Sequence, residues 1–455
     1  MTRTIPTAPR LSRRAFGNTM TRRAFGDTMT RRAFGVMLGA GAASLATPGL
    51  LRAQPTARLV IVGGGFGGAS AARFAAIHYP EVAVTLIEPQ TSFVTCPYGN
   101  LILGGKRELA DITHSYDGLR ARGVEVIHDR VAAIDAAGHA VALAGGGTLA
   151  YDKLILSPGI GLRWDAIEGY GPEAAEIFPH AWIGGDGSQI TSLRARLRAM
   201  PQGGVFAMSI PENPFRCPPG PYERLSMVAH YLKQANPTAK ILAFDAKEGF
   251  AKQGLFQDGW AELYGDMIEW VPASADGRIV RVDAANGLFV SEFGEEHRVD
   301  AGNVIPPQYA AAIAREAGLA NDAGWVPVDP ATFAAAAARD VHVIGDANVA
   351  GPMPKSGYIA NSTAKTAVVA ALAEVTGRDG WDDPVYFNTC YSHVGDDYGV
   401  SVVAIFRPEG DSFAAVPDSG GLSPRGPLSE QARNRRLEAR YADAWYDSIV
   451  QDMFS

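Results

Sequence analysis

Along this chain the apolar positions change period several times, and each change marks an element. Arg58-Leu-Val-Ile-Val62 is a continuous apolar run, the pattern of a strand covered on both faces. It meets the turn Gly63-Gly-Gly-Phe-Gly-Gly68, after which a helix is predicted from Ala69 to about His78. Val82-Ala-Val-Thr-Leu-Ile87 is a second strand, ending at Glu88. Tyr151-Asp-Lys-Leu-Ile-Leu-Ser-Pro-Gly159, Gly204-Val-Phe-Ala-Met-Ser209, Lys240-Ile-Leu-Ala-Phe-Asp245 and Val341-His-Val-Ile-Gly-Asp346 each contain a further short strand. From Leu428 to Ser455 the period is helical, with charges on one side and Trp445, Tyr446, Ile449 and Val450 on the other. That amphipathic pattern predicts a helix packed against the body of an α/β chain.

The first 53 residues follow a different rule. A nine-residue unit recurs as Ser12-Arg-Arg-Ala-Phe-Gly17, Thr21-Arg-Arg-Ala-Phe-Gly26 and Thr30-Arg-Arg-Ala-Phe-Gly35, and the third copy abuts the apolar run Val36–Leu51. Twin arginines before a short apolar run form a twin-arginine export signal, with cleavage expected after Ala53 and the periplasm as destination. A run of about 16 residues broken by glycines is short for a membrane span, so no transmembrane segment is expected in the mature chain. Nine of the 41 basic residues and one of the 48 acidic residues lie in this segment, so the remainder is acidic by about 15 charges. That balance argues against a nucleic-acid partner. The twin-arginine route carries folded proteins, which suits a chain that must acquire its cofactor before export.

The turn between the first strand and helix has the spacing of a dinucleotide-binding site. Gly63 permits the tight turn, Gly65 lets the backbone approach a pyrophosphate, and Gly68 lets helix and strand pack closely. Glu88, twenty residues beyond Gly68, is placed to bind ribose hydroxyls. The stretch ending in Gly345-Asp346 resembles the second flavin fingerprint of two-dinucleotide-domain flavoproteins, which gives Asp346 a role toward the ribityl and pyrophosphate region of FAD. The corresponding turn of the second domain is missing. After Gly204–Ser209 the chain reads Ile210-Pro-Glu-Asn-Pro-Phe-Arg-Cys-Pro-Pro-Gly-Pro-Tyr-Glu-Arg224, whose prolines offer no N–H to a phosphate. Electrons are therefore expected to pass to something other than nicotinamide.

Three cysteines remain to be explained: Cys96 in Thr95-Cys-Pro-Tyr98, Cys217 in the proline-rich turn, and Cys390 in Asn388-Thr-Cys-Tyr-Ser392. These segments, with Pro352-Met-Pro-Lys-Ser-Gly-Tyr358 and Pro417-Asp-Ser-Gly-Gly421, resemble the flavoprotein subunit of flavocytochrome c sulfide dehydrogenase over essentially the whole mature chain. The resemblance implies FAD bonded through Cys96, a redox disulfide between Cys217 and Cys390 above the flavin, and Glu223 as base. It also implies sulfide as substrate and a c-type cytochrome partner, which would carry the haem because this chain has no CxxCH. The fold it implies is two Rossmann-like domains on the glutathione-reductase plan plus a C-terminal interface domain. The expected divisions are 1–53 for the signal, 54–165 and 297–375 for the FAD domain, 166–296 for the NAD-like domain and 376–455 for the interface.

Other readings of the same residues stand beside these. Cys217 and Cys390 could form a structural disulfide, Cys96 could be a buried thiol, Glu223 could pair with Arg224, and Lys355 could hold negative charge near the flavin or lie in solvent. For the whole chain the alternatives are an enzyme like sulfide:quinone oxidoreductase, or a non-catalytic flavoprotein partner of a sulfur-oxidising complex.

Overall fold

The computed structural model describes residues 55–182 and 185–455; the expected export signal lies outside them. Its first sheet has six strands in the order Ala334–Ala335, Ala338–Val343, Lys153–Leu156, Ala57–Val62, Val82–Ile87, Glu125–Ile127. All pairings are parallel except that of the short edge strand Ala334–Ala335. Leu59, Ile61, Leu154 and Ile155 have no exposed surface, as expected for strands covered by helices on both faces. Each such side chain contributes about 1.5–3 kcal/mol by leaving water. Helices Phe66–His78 and Gly357–Thr376 pack against each other, joined by a hydrogen bond from Asn361 Nδ2 to Ser70 Oγ of 2.7 Å. The first of these begins three residues before the position predicted from sequence. Local propensity counts glycines as loop, whereas packing continues the helix to the turn, where Ala69 N–H already donates to Gly65 O.

A second, fully parallel sheet orders its strands Ile268–Val271, Lys240–Asp245, Val205–Ile210, Ala301–Val304. Because Ala301–Val304 pairs with Val205–Ile210, this sheet runs past the division expected at 296. An antiparallel pair, Ile160–Leu162 with Gln308–Ala310, carries the chain between the two sheets.

The C-terminal part is an antiparallel sheet built on Tyr386–Gly395 and Tyr398–Glu409. Helix Leu428–Phe454, roughly 40 Å long at 1.5 Å per residue, lies on it and buries Ala439, Ala442, Tyr446, Ile449 and Met453. That helix also holds the Cys96 loop: Tyr446 Oη lies 2.9 Å from Thr95 Oγ1, and Tyr98 Oη donates to Asp443 at 2.6 Å. Among the described residues no helix is long and apolar enough to cross a membrane.

Candidate active site

The first strand delivers the glycine turn. Gly63 has φ +95°, and a Cβ there would lie 2.2 Å from Ser157 O; one on Gly68 would lie 1.8 Å from Gly63 O. Both positions exclude a side chain because backbone meets backbone. Gly65 differs, since a Cβ there would only touch the Phe93 ring at 3.4 Å. Glu88 sits against the same turn, its Oε2 accepting from Gly64 N–H at 2.8 Å and its Oε1 from Gln90 N–H at 2.9 Å. Each oxygen keeps a lone pair for a further donor.

Asp346 follows strand Ala338–Val343 in the short turn Gly345–Ala347. Its Oδ1 is buried without a hydrogen-bond partner, a condition that costs about 1–3 kcal/mol or more. Burial raises its pKa, and the charges of Arg216 and Lys355 oppose the rise. Lys355 is buried, so the solvated reading does not hold. Its ammonium donates to Asp346 O at 2.9 Å and Asn348 O at 2.6 Å, over the Trp325 ring, and burial lowers its pKa to about 8.

A cavity of about 300 Å³ has Cys96, Cys217, Cys390 and Glu223 in its walls, together with His180, Arg216 and Trp445. Cys217 reaches it with φ +57°, a conformation that costs a residue with a side chain about 1–2 kcal/mol. It is held there by its N–H donating to Lys355 O at 2.7 Å. Cys390 comes from strand Tyr386–Gly395, where it is the partner of Val402. Its Sγ lies 3.5 Å from Asn388 Oδ1, which also accepts from Ser356 Oγ at 2.7 Å. Each cysteine is half-buried because it borders the cavity, with protein behind it. Burial raises all three thiol pKa values, that of Cys217 most strongly. Arg216 opposes the rise at Cys96, and Lys252 opposes it at Cys390. All three cysteines are free in the structure, and the fold brings Cys217 and Cys390 to one cavity.

Glu223 lies in the first turn of helix Gly220–Ala235. Its Oε1 accepts from His393 N–H and its Oε2 from Asn100 Nδ2, both at 2.8 Å. The ion pair with Arg224 does not form. Arg224 is buried and spends its donors on Asn100 Oδ1, Asn303 Oδ1 and the carbonyls of His180 and Ala181, and burial lowers its pKa to about 9. Sequence reasoning missed Arg216, Lys252, His180 and His393. Arg216, beside Cys217, could have been suspected from adjacency, whereas Lys252 comes from a loop without a motif.

Comparison with known proteins places these features. Residues 57–178 match the pyridine nucleotide-disulphide oxidoreductase family, 190–306 the central region of the sulfide dehydrogenase [flavocytochrome c] flavoprotein chain, and 382–454 the flavin-binding region of flavocytochrome c sulphide dehydrogenase. The chain is 55% identical over 47 residues to the sulfide dehydrogenase [flavocytochrome c] flavoprotein chain of Chlorobaculum thiosulfatiphilum, covering 10% of this chain and 98% of that one. It is 25% identical over 315 residues to the mitochondrial sulfide:quinone oxidoreductase of Mus musculus, covering 68% of this chain and 69% of that one. The solved sulfide:quinone oxidoreductase of Aquifex aeolicus shares the fold, with a TM-score of 0.64 at 17% identity over 88% of this chain and 92% of that one. The glycine turn, the two parallel sheets and the C-terminal sheet are therefore the two-domain plan of a flavoprotein oxidoreductase, and the chain belongs to the family of the flavocytochrome c sulfide dehydrogenase flavoprotein chain.

Proposed function

We propose that this chain oxidises sulfide with bound FAD, using Cys217 and Cys390 as a dithiol–disulfide couple, and passes the electrons to a c-type cytochrome subunit. The observation that carries the reading is the single cavity on which Cys96, Cys217, Cys390 and Glu223 converge from separate parts of the sequence. The residues present fit FAD. The glycine at position 65 is not required by any backbone neighbour, which leaves a ligand phosphate as its reason, and the unpartnered Asp346 Oδ1 needs a donor that a ribityl hydroxyl can supply. Gly63, Gly65, Gly68, Glu88 and Asp346 would hold the cofactor, with Cys96 as its point of attachment. FAD when bound supplies a two-electron acceptor that releases electrons singly, as a haem acceptor requires.

The chain's own residues account for the sulfur chemistry. With the couple oxidised, HS⁻ adds to one sulfur, the S–S bond breaks, and its electron pair stays on the other sulfur, leaving one persulfide and one thiolate. Glu223, fixed by Asn100 and His393 at the cavity wall, takes the proton of hydrogen sulfide so that the anion attacks. Export to the periplasm by the twin-arginine route rests on the sequence of the first 53 residues.

A second reading, with a quinone as acceptor, is favoured by the likeness to the sulfide:quinone oxidoreductases. One experiment separates them: purified protein is titrated with sulfide while flavin absorbance is followed, then assayed with cytochrome c and with a soluble quinone. Bleaching with cytochrome c reduction is the expected result. Reduction of quinone alone would transfer the chain to the second reading, and no bleaching would remove both.

A further inference from the structure

Lys252 is a buried cation whose hydrogen-bond partners are all neutral, as are those of Lys355 and Arg224, but it is the one of the three that bonds to the backbone of Cys390. It is 5% exposed and sits in the left-handed conformation, φ +64°, at the start of helix Gln253–Tyr264. From there its ammonium crosses to strand Tyr386–Gly395, donating to Cys390 O at 2.9 Å and Ser392 Oγ at 2.8 Å. Among the described residues no carboxylate forms an ion pair with it, unlike buried Lys153, paired with Asp340 and Glu374. A buried ammonium without a counter-ion is costly, and its position on the backbone of Cys390 calls for a negative charge nearby.

We propose that Lys252 is the positioning residue that makes Cys390 the anionic member of the reduced cysteine pair. Attack of HS⁻ on the disulfide leaves one cysteine as a persulfide and the other as a thiolate, and reduction by a phosphine and water leaves one thiol and one thiolate with the phosphine oxidised. In either case the ammonium decides which sulfur keeps the negative charge. The charged groups facing Cys390 are Lys252 and Glu223; its thiol donates to Asn388 Oδ1 at 3.5 Å, and the Ser356 hydroxyl stands beside it. Those facing Cys217 are Cys96, Cys390 and Glu223, which oppose a charge, and Arg216, which favours one. Lys252 itself also faces Glu223, Cys217 and Glu438; Glu223 is held by Asn100 and His393, and Glu438 Oε1 accepts from Ser423. Burial brings the Lys252 pKa down to about 8 and a nearby anion lifts it, so the thiolate and the ammonium support each other. The two hydrogen bonds also fix the strand at Cys390, which sets where that sulfur stands.

The inference rests on the reading of Cys217 and Cys390 as a redox couple, and the experiment keeps the two apart. Protein reduced with a phosphine is alkylated with iodoacetamide across pH 5–10, and the extent at each cysteine is read by peptide mass spectrometry. In the wild type Cys390 is expected to react at lower pH than Cys217. Lys252→Met should move the Cys390 midpoint upward by about one unit, or about tenfold in rate at neutral pH, without moving that of Cys217; Lys252→Arg should restore it. An unchanged Cys390 profile in Lys252→Met overturns the proposal. So does a wild type in which Cys217 reacts first, a result that needs no variant to fold. If protein never treated with phosphine alkylates at both cysteines as readily as the reduced protein, the couple itself fails, independently of Lys252.

Discussion

The two parallel sheets each begin with a buried strand, a turn and a helix, and the two turns carry opposite chemistry. After Ala57–Val62 the turn is glycine and the helix starts at once, so free backbone N–H groups gather at the helix terminus. After Val205–Ile210 the turn contains Pro211, Pro214, Pro218 and Pro219, and the helix starts only at Gly220. The first turn presents main chain and suits a phosphate. The second has lost those donors, and its rigidity instead fixes Cys217 in an unfavourable backbone conformation and sets Glu223 one helical turn away. The same framework thus presents a turn suited to a nucleotide in one sheet and mounts a thiol and a carboxylate in the other.

The sharpest way to break this comparison is to remove the thiols. Cys217→Ser and Cys390→Ser should each lower sulfide-dependent cytochrome c reduction on the order of 10⁶-fold, the scale of losing a nucleophile, with FAD retained and little change in melting temperature. A purely structural pair would show the reverse order, with stability lost and turnover kept in whatever stays folded. Glu223→Gln comes next. Its amide keeps one acceptor and loses the base, so kcat should fall about 100-fold with the fold intact, and the loss should shrink at high pH where sulfide is already ionised. A loss independent of pH would reassign Glu223 to a packing role.

The glycine turn is tested by FAD content. Gly65→Val, which meets only the Phe93 ring, should fold yet bind FAD at least about tenfold more weakly, equivalent to about 1.4 kcal/mol. Gly68→Val should fail to fold, because its side chain meets the Gly63 carbonyl. Stoichiometric FAD in purified Gly65→Val would remove the turn from the site. Cys96→Ser should release its flavin on acid denaturation, whereas the wild type should keep its yellow colour.

The smallest effect concerns His180, which accepts Trp182 N–H on Nδ1 behind the second turn. Burial, with the charges of Arg224 and Arg216, lowers its pKa to about 4. The unfolded ring takes its proton near pH 6.5 and the folded ring near 4, so this contribution to stability is complete above 6.5 and is lost as pH falls between those values. His180→Gln should therefore flatten the fall in melting temperature over that window relative to the wild type. Parallel curves for the two proteins would show that His180 does not titrate in this way.

The glycine turn, the strand preceding it and Glu88 could be read from sequence because the interactions are local, spanning a few dozen residues with a fixed spacing. The amphipathic period of Leu428–Phe454 was legible for the same reason. That this helix clamps the Cys96 loop through Tyr446 and Asp443 was not, because nothing in a helical period names the partner surface. The pairing of Val205–Ile210 with Ala301–Val304 leaves no local signature either, because the paired residues lie 95 positions apart in the chain.

By itself the sequence determined the α/β class, the glycine turn, the prolines that stand in place of a second one, and, through resemblance, the roles to be sought for three cysteines. Only the tertiary structure decided which groups share a cavity. It took Glu223 away from Arg224 and gave it to Asn100 and His393, left Asp346 with an unpartnered oxygen, buried Lys355, and brought Lys252 onto the backbone of Cys390. The physical reason is that periodicity and turn chemistry act between near neighbours in the chain. The charge state of a thiol, a carboxylate or an ammonium is set by burial and by neighbours that arrive from distant segments.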